Sequence, residues 1–173
     1  MDGAVVHVCH RQIKIKFWSG GSKFTAGYAI CFYHDKTTPK VPMEHLLHLP
    51  TFDEQNHLQG VVEIPAGTNR KMEIDKETGV IRQDERNGQP RSIRFLPYPV
   101  NYGFVPSTRM DKHKGGDGDP LDVLILSEYL PTGTVLPVLP IGLLLLQDGG
   151  EWDNKVLAVP SDPNLRILDA ENW

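Results

Sequence analysis

From Val61 to Val159 the apolar residues come in short runs, each closed by glycine, proline or a polar turn, and a helical period never persists for the length of a helix. Glycine and proline number 16 and 14, so backbone breaks recur throughout. That pattern specifies many short strands, in a barrel or sandwich rather than a helical bundle. Strands are expected at Val61 to Ile64, Lys71 to Ile74, Val80 to Arg82, Ser92 to Phe95, Leu121 to Leu126, Thr134 to Val138, Ile141 to Leu146 and Lys155 to Val159. So many short strands suggest a mainly β chain with a closed or nearly closed sheet. No internal repeat points to a propeller or solenoid.

A chain of 173 residues fits one domain. Within it, residues 1–50 read as an N-terminal extension and 51–173 as the main domain. The extension alternates around Ile13, Ile15 and Phe17, turns at Ser19-Gly20-Gly21-Ser22 and resumes from Phe24 to Tyr33, which predicts a hairpin. Prolines then interrupt Thr37 to Pro50, the mark of a linker or a surface-hugging arm. His7, Cys9 and His10 are too short a cluster to specify a metal site.

Several function classes are excluded early. The longest apolar run, Ile141 to Leu146, is far below the roughly eighteen residues that cross a bilayer, so no membrane partner is expected. A net charge of −4 without a basic patch argues against nucleic acid. Cys9 and Cys31 form no CxxC pair, which leaves a reducing, cytoplasmic setting as the expectation. The first residues lack the basic start and apolar core of a secretory signal.

The densest chemistry lies in Asp117-Gly118-Asp119-Pro120-Leu121-Asp122. Two carboxylates about 4 Å apart repel by roughly 4 kcal/mol at an effective dielectric of 20, so converging acids need cations or solvent. Oxygen-only donors suit magnesium. Asp117 and Asp119, two apart in an extended segment, can face the same way, and Pro120 stiffens the turn into the strand that carries Asp122. An EF-hand fails in register, because Leu121 and Asp122 fall where the calcium loop needs a ligand and a glycine. A second acidic group, Asp148-Gly149-Gly150-Glu151-Trp152-Asp153-Asn154-Lys155, reads as a tight loop between strands that holds Asp148, Asp153 and Lys155 at one end of the sheet.

Upstream, alternation puts Lys71, Glu73 and Asp75 on one face of a strand and Met72 and Ile74 on the other. Arg86, Arg91 and Arg94 follow, then Tyr98-Pro99-Val100-Asn101-Tyr102-Gly103. Lysine and arginine grip phosphate oxygens, and tyrosine hydroxyls bond to them without adding charge. Each feature taken alone also suits a solvated strand face or a core aromatic.

In order and spacing, Glu63-Ile64-Pro65-Ala66, Lys71-Met72-Glu73, Tyr98 through Gly103, Asp117 through Val123 and Asp148 through Lys155 together resemble the soluble family I inorganic pyrophosphatases. The resemblance runs from about Leu58 to Pro160. It implies a distorted five-stranded barrel of the OB type, its site at the barrel mouth, α+β in the full family. It also implies magnesium as cofactor and inorganic pyrophosphate as substrate, hydrolysed to two orthophosphates. Residue by residue, Asp117, Asp122 and Asp153 hold one ion, Asp122 is shared with a second, and Asp148 and Asp153 help hold another. Glu73 is a further carboxylate linked to metal, and Glu63 an acid behind the ligands. Lys71, Tyr98 and Lys155 match phosphate contacts, Tyr102 borders the metal site, and Asp119 matches the general base. Arg91, with Arg86 as alternate, stands for the family's phosphate arginine.

The family pattern continues into a helix bearing an adjacent Tyr-Lys pair, and no such pair occurs between Pro160 and Trp173, so that helix is expected to be missing. The rival reading is a non-catalytic relative that binds divalent metal or phosphate. Association into a homo-oligomer is left open by the sequence.

Overall fold

Strand formation follows the glycine and proline punctuation in a computed structural model of the chain, which describes residues 45–168 and the backbone of 5–9, 12–19 and 22–24. At the front, β1 (Val5–Cys9), β2 (Gln12–Ser19) and β3 (Ser22–Phe24) form an antiparallel sheet in which Ser19 pairs with Ser22, the register of the expected hairpin. β1 is a strand the sequence reading did not include. The expected run beyond Phe24 to Tyr33, the proline-rich arm up to residue 44, His10 and the side chains of His7 and Cys9 lie outside the described residues.

The chain continues through β4 (Leu58–Ile64), β5 (Met72–Ile74), β6 (Ile81–Gln83), β7 (Glu85–Arg86), β8 (Gln89–Pro90), β9 (Asn101–Val105), β10 (Leu121–Ile125), β11 (Val135–Leu144), β12 (Gln147–Asp148), β13 (Glu151–Trp152) and β14 (Lys155–Pro160). Three expectations change. The segment Ser92 to Phe95 is no strand: Ser92 makes one bridge to Arg70, and Phe95 is 96% exposed. The two strands expected on either side of Pro140 are one, β11, whose pairing with β14 skips a residue between Pro140 and Gly142; a bulge there accommodates the proline. β9 was unanticipated. Among the described residues helix is confined to short 3-10 turns such as Leu46–His48, and none is long and apolar enough to cross a membrane.

Five strands close a barrel in the order β4, β9, β10, β14, β11 and back to β4, with β10 and β14 parallel and every other pair antiparallel. A closed five-stranded barrel with this Greek-key crossing is the OB architecture. Alternate residues fill the interior: Leu58, Val62, Val105, Leu121, Val123, Ile125, Leu136, Val138, Val156 and Ala158 form one buried cluster. Each such side chain contributes about 1.5–3 kcal/mol on burial.

The outward face of β4 and β9 is also covered. Val61, Phe104 and Ile74 make a second cluster, onto which Leu46, Leu47, Leu49 and Ile81 pack. Residues 45–49 are fastened there by Ser107, whose N–H donates to the Leu47 carbonyl (2.9 Å) and whose hydroxyl donates to that of Leu49 (2.8 Å). The β5–β6 hairpin closes the same face. β4 is therefore buried along nearly all its length, with Val61 on the covered outward face beside one buried acid, Glu63.

Candidate functional site

The residues left on the outward face of the barrel define the site. Since Gly103, Val123 and Val156 sit in register on the inside, Tyr102 and Phe104 of β9, Asp122 of β10 and Lys155 of β14 must point outward. The cleft thus lies against the barrel wall, under β5 and two loops, rather than at the barrel mouth where the sequence reading placed it. Its volume is about 270 Å³, and eight carboxylates and three lysines line it.

β4 contributes Glu63 through an irregularity. Pairing runs Val62 to Gly103 and then Ile64 to Tyr102, leaving Glu63 as the extra residue of a bulge. Its carboxylate is only 6% exposed and accepts the Ile74 N–H at 2.7 Å, so it ties the barrel to β5. Burial pushes the Glu63 carboxyl up from 4.5 to about 7, against the pull of that N–H and of Lys71. In the folded chain the proton is held more tightly than in the unfolded one. Stability is therefore highest below pH 4.5 for this group, and falls by about 3 kcal/mol as pH rises through 7. Glu63→Gln, which keeps the acceptor and removes the charge, is expected to raise the melting temperature at pH 8 in chelator and to change nothing at pH 4. Parallel melts of both proteins across that range check it, and equal pH slopes would contradict the assignment.

The first acidic loop joins β9 to β10 and is stitched internally. Met110 N–H donates to the Asp119 carbonyl (2.7 Å), Leu121 N–H to the Thr108 hydroxyl (2.9 Å), and Asp119 N–H to Asp117 Oδ1 (2.7 Å). Gly118 has φ +86°, so the segment is a turn rather than the extended strand expected, yet Asp117 and Asp119 both reach the cleft. In the second loop, Gly149 and Gly150 both take positive φ between β12 and β13, the condition for a tight type I′ hairpin. Asp148, Glu151 and Asp153 line the cleft from that side.

Lys155 stands between the two. Its ammonium donates to Asp122 Oδ2 (2.6 Å) and Asp153 Oδ1 (2.8 Å), and lies 5.2 Å from the centre of the Tyr102 ring. Tyr102 hydroxyl donates to the same Asp122 oxygen at 2.5 Å. Burial works against the charge on Lys155, but its two carboxylate partners outweigh that and hold its pKa up. Burial also raises the Asp122 carboxyl, in spite of Lys155 and Tyr102, and neighbouring Asp153 adds to the effect. The acids are therefore under-neutralised. Among the described residues no three carboxylates converge into a finished coordination shell; the lysine ammonium is the cation that now bridges Asp122 and Asp153. The donors nonetheless fit a hard divalent cation in kind, being oxygen alone with a large excess of negative charge.

Of the residues singled out from sequence, Glu63, Lys71, Glu73, Tyr102, Asp117, Asp119, Asp122, Asp148, Asp153 and Lys155 share this cleft. Tyr98 stands behind Tyr102, ring centres 5.6 Å apart, its pKa raised by burial and lowered in part by the Arg91 charge. Arg91 lies outside the cleft lining and is ion-paired with Asp84, although its carbonyl accepts the Lys71 N–H at 3.1 Å. Arg86 is exposed on β7. Asp75 leaves the face it was expected to share, because its carboxylate caps the turn at Glu77 and Thr78 and pairs with Arg82. Sequence reasoning missed Lys76, which lines the cleft and ion-pairs with Asp119, and for which alternation gave no signal. It also gave no role to Asn101. That side chain is fully buried: Oδ1 accepts from Ala66 and Leu130 N–H (both 3.0 Å), and Nδ2 donates to the Ser127 hydroxyl (3.0 Å) and Glu128 carbonyl (2.9 Å).

Comparison with known proteins gives one family. The model of the family Pyrophosphatase, described as inorganic pyrophosphatase, matches residues 60–172. The inorganic pyrophosphatase of Campylobacter jejuni is 42% identical over 110 residues, 63% of this chain and 58% of that protein. That of Sulfolobus acidocaldarius is 45% identical over 103 residues, 59% of this chain and 54% of that protein. The crystal structure of inorganic pyrophosphatase from Thermus thermophilus superposes with a TM-score of 0.59 at 36% identity, over 72% of this chain and 70% of that one. The chain spans little more than half the length of these two curated relatives.

Proposed function

The chain belongs to the inorganic pyrophosphatase family, and from that premise we propose that it hydrolyses inorganic pyrophosphate to two orthophosphates with magnesium as cofactor, in a cytoplasmic setting. The observation that carries the reading is one cleft in which carboxylates from two separate loops meet Lys71, Lys155 and Tyr102. Phosphate binders alone would not explain the acids, and a metal store alone would not explain the lysines.

Asp117, Asp122 and Asp153 would hold magnesium, joined by Asp148 and Glu73. Bound there, magnesium supplies positive charge against the substrate's phosphate oxygens and makes water a better acid. Asp119 takes the proton of the attacking water through the oxygen that Lys76 does not engage. Water adds to one phosphorus, the bridging phosphorus–oxygen bond breaks, and the second phosphate leaves. Lys155 exchanges its carboxylate partners for phosphate, and Lys71 meets the substrate from β5. Arg91 and Tyr98 stand outside the cleft lining, next to Lys71 and Tyr102, and would reach the leaving phosphate only with Arg91 released from Asp84.

Phosphate release from pyrophosphate is expected with magnesium and is expected to vanish with excess chelator. Equal release under both conditions would overturn the proposal.

A further inference from the structure

We propose that Trp152 is a positioning residue, a strut that fixes the separation of the two acidic loops and so sets the cation affinity of the cleft. The inference rests on the metal-dependent reading above. The loops come from different parts of the barrel, one between β9 and β10 and the other between β11 and β14. Both loops bring carboxylates to the same cleft, and like charges held there repel. Lys155 offsets part of that repulsion by bridging Asp122 and Asp153, and a second tie joins the loop segments themselves.

The tie is at Trp152. Its main-chain N–H donates to the Gly115 carbonyl at 2.7 Å and its main chain pairs with Gly116 as a parallel bridge, a contact any residue could make, so what is particular to Trp152 is the indole that holds it. Parallel pairing runs both segments the same way, so the next residue on each side, Asp117 and Asp153, are carried forward together in register. The indole ring lies on Gly115: a Cβ there would come within 3.0 Å of Trp152 Cδ1. From the other side Gly116 rests on Met110, whose Cβ would be 2.8 Å from an added Cβ. The Gly115-Gly116 segment is thus clamped between an indole and the Met110 backbone, which only a pair of glycines permits. Trp152 itself is half-buried and lines the cleft. An apolar clamp suits this position because it adds no charge to a site already crowded with it.

Side chains that orient metal ligands typically change metal affinity 10- to 100-fold when removed. In the full chain, Trp152→Ala is expected to raise the magnesium Kd, measured calorimetrically without substrate, about 10-fold or more. At saturating magnesium its kcat should return to within a few-fold of the parent, and Trp152→Phe should restore most of the affinity. Thermal melts in chelator separate this from a loss of fold, and Trp152→Leu serves the same comparison if the alanine variant does not fold. A folded Trp152→Ala or Trp152→Leu protein with the parent's magnesium Kd overturns the strut while leaving the pyrophosphatase reading intact. A parent chain that neither binds magnesium nor releases phosphate overturns both.

Discussion

Gly103→Ala is expected to lower the melting temperature by roughly 10–20 °C or to abolish folding, the largest single-residue effect on stability in the barrel. An added Cβ at this position would fall 1.8 Å from the Val61 carbonyl oxygen, 2.8 Å from its carbon and 3.0 Å from the Glu63 nitrogen. All three are backbone atoms of the neighbouring strand, so no rotamer change can relieve the contact. β4 would have to move away from β9 beside the bulge at Glu63. Such a shift opens a ring that has no spare strand, and a cost of about 4–5 kcal/mol is a large part of the 5–15 kcal/mol that holds a domain folded. Gly88→Ala is the control. Its φ is +70° and nothing lies within 4 Å of an added Cβ, so it should lose only about 1 kcal/mol to backbone strain. Circular dichroism melts of the two variants test the argument; equal shifts would show that the close approach of β4 does not matter.

That same close approach explains what could and could not be read in advance. The acidic hexapeptide, the Gly-Gly hairpin and the strand at β10 were legible because each rests on local chemistry: charge density, positive φ, apolar alternation. β9 was not. Asn-Tyr-Gly-Phe-Val carries a glycine that ordinarily weakens a strand, and it is buried on both faces, with Gly103 and Val105 inward and Tyr102 and Phe104 outward. The position of the cleft was misread for a related reason. Whether an outward barrel face meets water or another layer depends on residues distant in sequence, here 45–49 and the β5–β6 hairpin, which cover it. Ser92 to Phe95 shows the reverse error, since a strand-like alternation of apolar and basic residues carries no meaning where no neighbouring strand offers a partner along its length. The acids singled out from sequence, with Lys71 and Lys155, come together in one cleft, whereas Lys76 was not among them and Arg91 stands apart from it on Asp84; a partner seven residues away in a loop is not visible as a period.

Asp119→Asn is expected to reduce kcat by a factor of about 10² to 10⁴, the contribution of a positioned proton acceptor, while leaving the fold and the magnesium affinity nearly unchanged. The structural work of this residue is done by its backbone: the N–H donates to Asp117 Oδ1 at 2.7 Å and the carbonyl accepts from Met110 N–H at 2.7 Å. The side chain is 43% exposed and its ion pair among the described residues is with Lys76, itself 55% exposed. An exposed pair of that kind contributes about 0–1 kcal/mol, so losing the charge should move the melting temperature little. What the amide cannot do is accept a proton. Asp122→Asn differs at each point, because that carboxylate is half-buried and one of its oxygens takes both the Tyr102 hydroxyl and the Lys155 ammonium. It should weaken magnesium binding itself and lower stability, since Lys155 would lose one of the two charges that hold it in the cleft. Calorimetric titration beside steady-state kinetics distinguishes the two variants. Normal turnover of Asp119→Asn across the pH range would remove Asp119 from the reaction, and leave Glu73, Asp117, Asp148 and Glu151 as the exposed or half-buried carboxylates of the cleft that Lys155 does not engage.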